Sequence, residues 1–445
     1  MSAASRGEGA SGSPDTNPEP GDWQGYLESL AAFGMRPGLE RVSAVLEALG
    51  QPQRSFRAIH VVGTNGKSST TRYAAAILAA HGLRTACYLS PHIHGWAERV
   101  QIGGEHISRD AFGAAVLRVR EIVAALPAES GETTQFEVLT AAAFVAMAVA
   151  GVEAAVIEAG LGGRLDATNV LDAPVVVVTS IGLDHIEVLG TTREAIFAEK
   201  AAVIKGGDAV FGPLEGLESA AQEVCARVGA RAHFMGPDFS VTGPPSGFCV
   251  STAQAIYPGL SLPTAAAYQT TNAALAVQAA ERLLGPLELD RVRVALADVV
   301  VPGRLQIVGR EPLMIADGAH NHDGMRALLA TLRTIDWPRP RVAVIAVMRD
   351  KAVAEMVGAL AEVVDTIVCT RASQDRSLEP SELASIAKEK AASAAVPPPT
   401  ILTDLNAHAA LRRARVVAGT GGSVVVCGSL YLLEDLADVL STPSA

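Results

Sequence analysis

The stretch His60-Val61-Val62-Gly63-Thr64-Asn65-Gly66-Lys67-Ser68-Ser69 decides how this chain folds. Its apolar, β-branched start reads as a strand, which passes through a Gly-rich turn into a helix. Such a turn aims backbone N–H groups and the positive end of the helix at phosphates. Lys67 can neutralise a β- or γ-phosphate, and Ser68 or Ser69 can approach Mg²⁺. The spacing is Gly63-x-x-Gly66-Lys67, whereas the longer phosphate-loop pattern wants glycine at position 61, where valine stands. The plain alternative is a strand-to-helix turn without a ligand; Gly-Lys-Ser in this context argues for a nucleotide.

Alternating apolar runs extend on both sides of this loop. Strands are expected at 85–89, 154–157 and 175–179, and helices at 70–81 and 138–149, the pattern of a mostly parallel sheet covered on both faces. Ahead of the loop, Trp23 to Gly50 has the spacing of two short helices around a break at 34–38. Residues 211–263 lose periodicity and gain Gly, Pro and Ser, which predicts a small β-rich elaboration, and 273–284 returns to helix. A second strand–helix series follows, with strands near 313–316, 342–347, 366–369 and 424–427 and helices over 325–332 and 352–363. The expected architecture is α/β: a disordered tail over 1–21, a domain over 22–301 that carries the phosphate loop, and a second strand–helix domain over 302–445.

Composition narrows the function. With 36 Lys+Arg against 47 Asp+Glu the formal charge is −11, which leaves no electrostatic footprint for nucleic acid or an anionic membrane. The apolar run 141–152 is shorter than the ~20 residues that span a bilayer. Five scattered cysteines, with no CxxC pair, fit a reducing cytoplasm rather than a disulfide framework or zinc ribbon.

Other motifs cluster at strand ends, where parallel-sheet proteins hold ligands. Glu158 closes a buried strand, can ligate Mg²⁺, and opens the run Gly160-Leu161-Gly162-Gly163-Arg164-Leu165-Asp166-Ala167-Thr168-Asn169. Asp184-His185 follows the next strand; Lys200, taken alone, reads as a solvated surface charge. The second half offers Tyr268-Gln269-Thr270-Thr271-Asn272, Pro302-Gly303-Arg304, Asp317-Gly318-Ala319-His320-Asn321 and Gly428-Ser429-Leu430-Tyr431, each at an element boundary and none specific alone.

In order, the phosphate loop, Ser90-Pro91-His92, Glu158 with its glycine run, Asp184-His185, Lys200, Pro302-Gly303-Arg304 and Asp317-Gly318-Ala319-His320-Asn321 resemble the Mur ligase superfamily. Within it they resemble the bacterial folylpolyglutamate synthase/dihydrofolate synthase branch. The glycine run and Ser90-Pro91-His92 favour that branch over peptidoglycan or cyanophycin-type ligases. The resemblance implies an N-terminal ATP-binding domain and a Rossmann-like C-terminal domain, in an enzyme that uses ATP and two Mg²⁺ ions to join L-glutamate to a folate or to dihydropteroate through an acyl phosphate. A self-contained two-domain ligase is expected to be a monomer.

By the same resemblance, Gly63, Thr64, Asn65, Gly66, Lys67, Ser68, Ser69, Gln269, Asn272, Arg304, Asp317 and His320 meet ATP. Ser90 and Glu158 hold one Mg²⁺, while His185 and a carbamylated Lys200 hold the other. Lys67, His185 and Lys200 are the implied catalytic residues. Arg41, Phe136, Gly162, Gly163, Arg164 and Asp166 face the folate, and Asp317, His320, Ser429 and Tyr431 the glutamate. Ser68 stands where the family usually has glycine and adds a hydroxyl beside the phosphates. Two other classes compete: an ATP-sensing switch without amide chemistry, and a nicotinamide dehydrogenase, which the absence of the G-x-G-x-x-G fingerprint disfavours.

Overall fold

A computed structural model describes residues 21–30, 36–93, 95–127, 131–392 and 397–440. Residues 1–20 of the expected tail, and 34–35 of the expected break, lie outside these.

The first sheet has eight strands. Six run parallel in the spatial order Thr85–Tyr88, Ala154–Glu158, Arg57–Val62, Val175–Val178, Asp208–Phe211 and Arg231–Phe234; Val100–Ile102 and Glu105–His106 extend one edge antiparallel. The central strands are apolar on both faces because helices cover both. Lys67–Ala80 and Tyr268–Leu284 pack on one side, and Arg109–Ala125 and Gln135–Val149 on the other. From Arg57–Val62 the chain crosses to Thr85–Tyr88 and returns to fill the gap with Ala154–Glu158. It then moves to the far side with Val175–Val178. The switch in direction leaves a crevice at the carboxyl ends of the three central strands, with Val61 in register with Glu158 and Val62 with Val178.

The β-rich elaboration is smaller than the sequence predicts. Asp208–Phe211, helix Glu218–Val228 and Arg231–Phe234 belong to the main sheet. Only Ser240–Thr242, Phe248–Ser251 and Ile256–Leu260 form a separate antiparallel meander. Helix Glu218–Val228 buries just Ala221 and Cys225, so its apolar stripe is too thin to stand out in the sequence.

The second sheet has six strands. Leu313–Ala316, Ser423–Cys427, Arg341–Ile345, Thr366–Cys369 and Thr400–Thr403 run parallel, and Gln306–Arg310 pairs antiparallel at the edge. Apolar clusters fill both faces. No described helix is long and apolar enough to cross a membrane.

Candidate active site

The phosphate loop is shaped by contacts that only glycine allows. Gly63 has φ +150° and a Cβ there would run into the Thr179 hydroxyl; Gly66 has φ +89° and would run into Asn272 Oδ1. Helix Lys67–Ala80 begins directly after Gly66, so its free N–H groups face the crevice. Lys67 Nζ donates to Gly63 O at 3.1 Å and Thr64 O at 3.3 Å, which folds the ammonium back over the loop.

Three expected groups converge here. Glu158, buried at its strand end, accepts from Ser68 Oγ at 2.9 Å and from Ser90 N at 3.2 Å. Burial pushes its pKa up, opposed by Lys67, Ser68, Ser90 and Arg304. Lys200 is not the solvated charge that its neighbours in sequence suggest. It is 4% exposed, and its Nζ donates to Gly63 O at 2.9 Å. Burial, helped by the nearby Lys67 charge, lowers its pKa to about 7. Helix Arg193–Ala201 delivers it by turning that face inward, burying Ile196 and Phe197 with it.

Asp184 and His185 follow the neighbouring strand. His185 has φ +50° and stays partly open, its Nε2 3.9 Å from Asp184 Oδ1. Burial lowers its pKa to about 4, partly offset by Asp184. Although burial opposes it, contact with His320 and the charges of His320, Lys351 and His185 hold the Asp184 carboxyl well below the usual carboxylate range.

A cleft of about 880 Å³ runs between the two sheets' domains. Asn65, Gly66, Ser69, Asn272, Arg304, Asp317 and His320 line it. Gln269 lies behind this wall, accepting from Asn272 Nδ2 at 3.0 Å. Asp317 is buried; it accepts from Leu305 N and Ala319 N, both at 2.8 Å, and from Tyr268 OH at 3.2 Å. A smaller cavity beside Glu158 is lined by Ser68, Ser90 and Arg304 among others.

The residues expected at the folate and glutamate are more dispersed. Asp166 is turned inward, taking Leu161 N at 2.8 Å and the Thr168 amide and hydroxyl, so its carboxylate shapes the glycine run. Arg41 is held by Glu137 at 3.1 Å. Phe136 packs on Gly160 and 6.2 Å from the Tyr88 ring. Gly162 has φ +72° and touches Leu189. Arg164 pairs with Glu199 at 2.9 Å. Ser429 is buried and caps helix Leu430–Asp435 through Tyr431 N at 3.1 Å; neither it nor Tyr431 lines the cleft.

Gly163 sits tightly against the helix that carries Lys200. A Cβ there would be 2.7 Å from Glu199 O and 2.8 Å from Lys200 O, both backbone. Gly163→Ala is therefore expected to destabilise the protein by about 1–3 kcal/mol, the usual range for overpacking, read as a lower urea midpoint.

Sequence reasoning missed Lys351, which is 6% exposed and ion-paired with Asp184 and, at 3.3 Å, with Asp350. Its signal was the charged triplet Arg349-Asp350-Lys351 just past an apolar strand. The sequence gives Asn321 no role of its own; it bridges Asn65 and Asp184.

The donors suit a hard cation. No group of three or more His, Cys, Asp or Glu among the described residues can hold a metal alone. The Glu158 carboxylate and the Ser68 hydroxyl offer oxygen at the phosphate loop, with Ser90 lining the same small cavity as Ser68, and Mg²⁺ characteristically takes one or two carboxylates and fills its shell with phosphate and water.

Comparison with known proteins places the chain in a family. Residues 61–209 match the Mur ligase middle domain, and residues 303–430 the Mur ligase glutamate ligase domain. The dihydrofolate synthase/folylpolyglutamate synthase of Mycobacterium tuberculosis is 36% identical over 80% of this chain and 78% of its own length. Escherichia coli FolC, solved in complex with DHPP and ADP, superposes with a TM-score of 0.85 at 30% identity, over 96% of this chain and 99% of that one. A bifunctional folylpolyglutamate synthase/dihydrofolate synthase with Mn, AMPPNP and L-glutamate bound gives 0.82 at 30% identity, over 94% and 98%. The chain belongs to the Mur ligase family, in its folylpolyglutamate synthase/dihydrofolate synthase branch.

Proposed function

We propose that this enzyme uses ATP to join the α-amine of L-glutamate to a folate carboxylate, and that it accepts both dihydropteroate and tetrahydrofolate. The observation that carries the reading is the convergence of Lys67, Glu158 and Lys200 on one phosphate loop, beside a cleft that the second domain completes. A carboxylate is a poor acylating agent. Transfer of the γ-phosphoryl group to it gives an acyl phosphate and ADP, and attack by the amine then gives the amide and releases phosphate. Glu158, with Ser68 and Ser90, would hold Mg²⁺, which would neutralise charge at the phosphates.

The chain's own residues position and screen charge. Lys67 and the helix N–H groups receive phosphate oxygens. Arg304, beside both Glu158 and Asp317, balances two buried carboxylates where the domains meet. His185 and Lys200 are read as the second metal position, with Lys200 as its carbamate. No protein nucleophile is needed. One chain supplies both walls of the cleft, which supports a monomer, and five free cysteines support a reducing cytoplasm.

Protein incubated with ATP, Mg²⁺ and L-glutamate is expected to release ADP only when a pterin acceptor is added. The pterin product is expected to gain one glutamyl residue, by mass, with either dihydropteroate or tetrahydrofolate. Addition to tetrahydrofolate alone restricts the enzyme to polyglutamylation. ADP release indifferent to both acceptors overturns the ligase reading and favours an ATP switch.

A further inference from the structure

Asn321 touches three parts of the site at once. Its Oδ1 accepts from Gly324 N at 2.8 Å, capping helix His322–Leu332, and also from Asn65 Nδ2 at 3.2 Å. Its Nδ2 donates to Asn65 Oδ1 at 3.1 Å and to Asp184 Oδ2 at 2.9 Å. Asn65 belongs to the phosphate loop and Asp184 precedes His185, whereas Asn321 follows the second sheet's strand Leu313–Ala316. The side chain is 4% exposed, so water offers these groups little substitute.

Two neighbouring contacts cross the same boundary. Lys351 pairs with the other oxygen of Asp184. Asp323 lies so close to Gly182 that a Cβ on that glycine would meet its carboxylate.

We propose that Asn321 is a positioning residue that latches the second domain onto the phosphate loop, so that the cleft reaches its working shape only when the latch is made. The proposal rests on the reading that the cleft takes ATP. Asparagine suits the position because it must accept from the helix and the loop while donating to a buried carboxylate, a charge-assisted bond. Aspartate would cap the helix equally well. It would also set a second negative charge against Asp184, in place of a donor.

That difference gives the test. Asn321→Asp keeps the cap and breaks the latch, and Asn65→Ala removes the other half of the amide pair. Small-angle scattering with AMPPNP and Mg²⁺ is expected to give a larger radius of gyration for Asn321→Asp than for the unmodified protein. Its kcat is expected to fall about 10- to 100-fold, the size of a lost hydrogen bond to a charged group, with the KM for ATP moving far less. Asn65→Ala is expected to shift both readouts in the same direction, and the double variant to lose less than the product of the single losses.

Asn321→Asp with an unchanged scattering profile and kcat overturns the proposal. So does a loss confined to thermal stability and shared equally with Asn321→Ala, which would leave a helix cap only. Scattering with AMPPNP does not involve the acceptor. Failure of the folate reading therefore shows separately, as an unmodified protein that closes on nucleotide and glutamylates no pterin.

Discussion

Lys67→Met is expected to lower turnover at saturating ATP by about 10³-fold or more, the scale of removing a preorganised cation from a phosphoryl-transfer site. The ammonium is held by two loop carbonyls, Gly63 O and Thr64 O, at 3.1 and 3.3 Å. Neutral carbonyls are weaker partners than phosphate oxygens, so bound ATP draws the same ammonium outward without rebuilding the loop. Methionine keeps the length and the apolar stem and deletes the charge together with the two hydrogen bonds to the loop carbonyls. The fold should survive, because Lys67 forms no ion pair with another described residue. Lys67→Arg should restore little, since a planar guanidinium is wider than the compact ammonium that the loop encloses. Steady-state ADP release, with a melting curve for each variant, checks both parts. Turnover within tenfold of the unmodified enzyme would remove Lys67 from the phosphoryl transfer.

Why this loop was legible in the sequence, when other parts of the site were not, follows from what determines each. Backbone sterics alone dictate Gly63, Gly66 and the strand–turn–helix around them, and backbone sterics are local. Glu158 was equally readable, because a carboxylate that ends an all-apolar strand has one place to go. The parallel core strands announced themselves for the same reason, each being buried on both faces. Helix Ala407–Ala418 did not. It buries Ala407, Ala410, Ala414 and Ala418 with only Leu411 among them, so its inward stripe is built of small residues that lack the large apolar side chains by which a core helix is recognised. Edge strand Thr400–Thr403 and helix Glu218–Val228 were lost in the same way.

Lys200, Lys351 and Asn321 were harder to read for a different reason: the triplet Arg349-Asp350-Lys351 and the run Asp317-Gly318-Ala319-His320-Asn321 mark element ends, but nothing local states that these side chains, or Lys200, will be buried. Lys200 reads as surface charge until the glycine run folds onto its helix, with Arg164 N bonded to Glu199 O at 2.9 Å and Gly163 pressed on the backbone of Lys200 itself. The resemblance to a family named its role where composition and periodicity could not. Asn321 and Lys351 gain their meaning only when the second domain meets Asp184, a contact between residues far apart in sequence.

Lys200→Met is expected to act in opposite directions on activity and stability. In the folded protein burial takes the amine from its ordinary 10.5 down to about 7. Between these values the unfolded chain binds a proton that the native chain does not, so stability rises with pH across this window. Below it the full penalty of a buried ammonium is present. Methionine removes the penalty. The variant should melt higher at neutral pH, by about 1–2 °C for each kcal/mol gained in a chain of this length, and lose this contribution to the pH dependence.

Activity should fall about 10²- to 10³-fold, because the position that a carbamate would offer to the second metal is gone. A carbamate forms only on the neutral amine, and a lysine at about 7 supplies that form at physiological pH, where an exposed lysine would not. Turnover of the unmodified enzyme should accordingly rise as pH passes through about 7, and rise further with added bicarbonate. Isotopically labelled bicarbonate should give a carbamate carbon signal that Lys200→Met lacks. If the variant keeps full turnover, or if the signal persists in it, Lys200 is a buried structural amine and the second metal position rests on His185 alone.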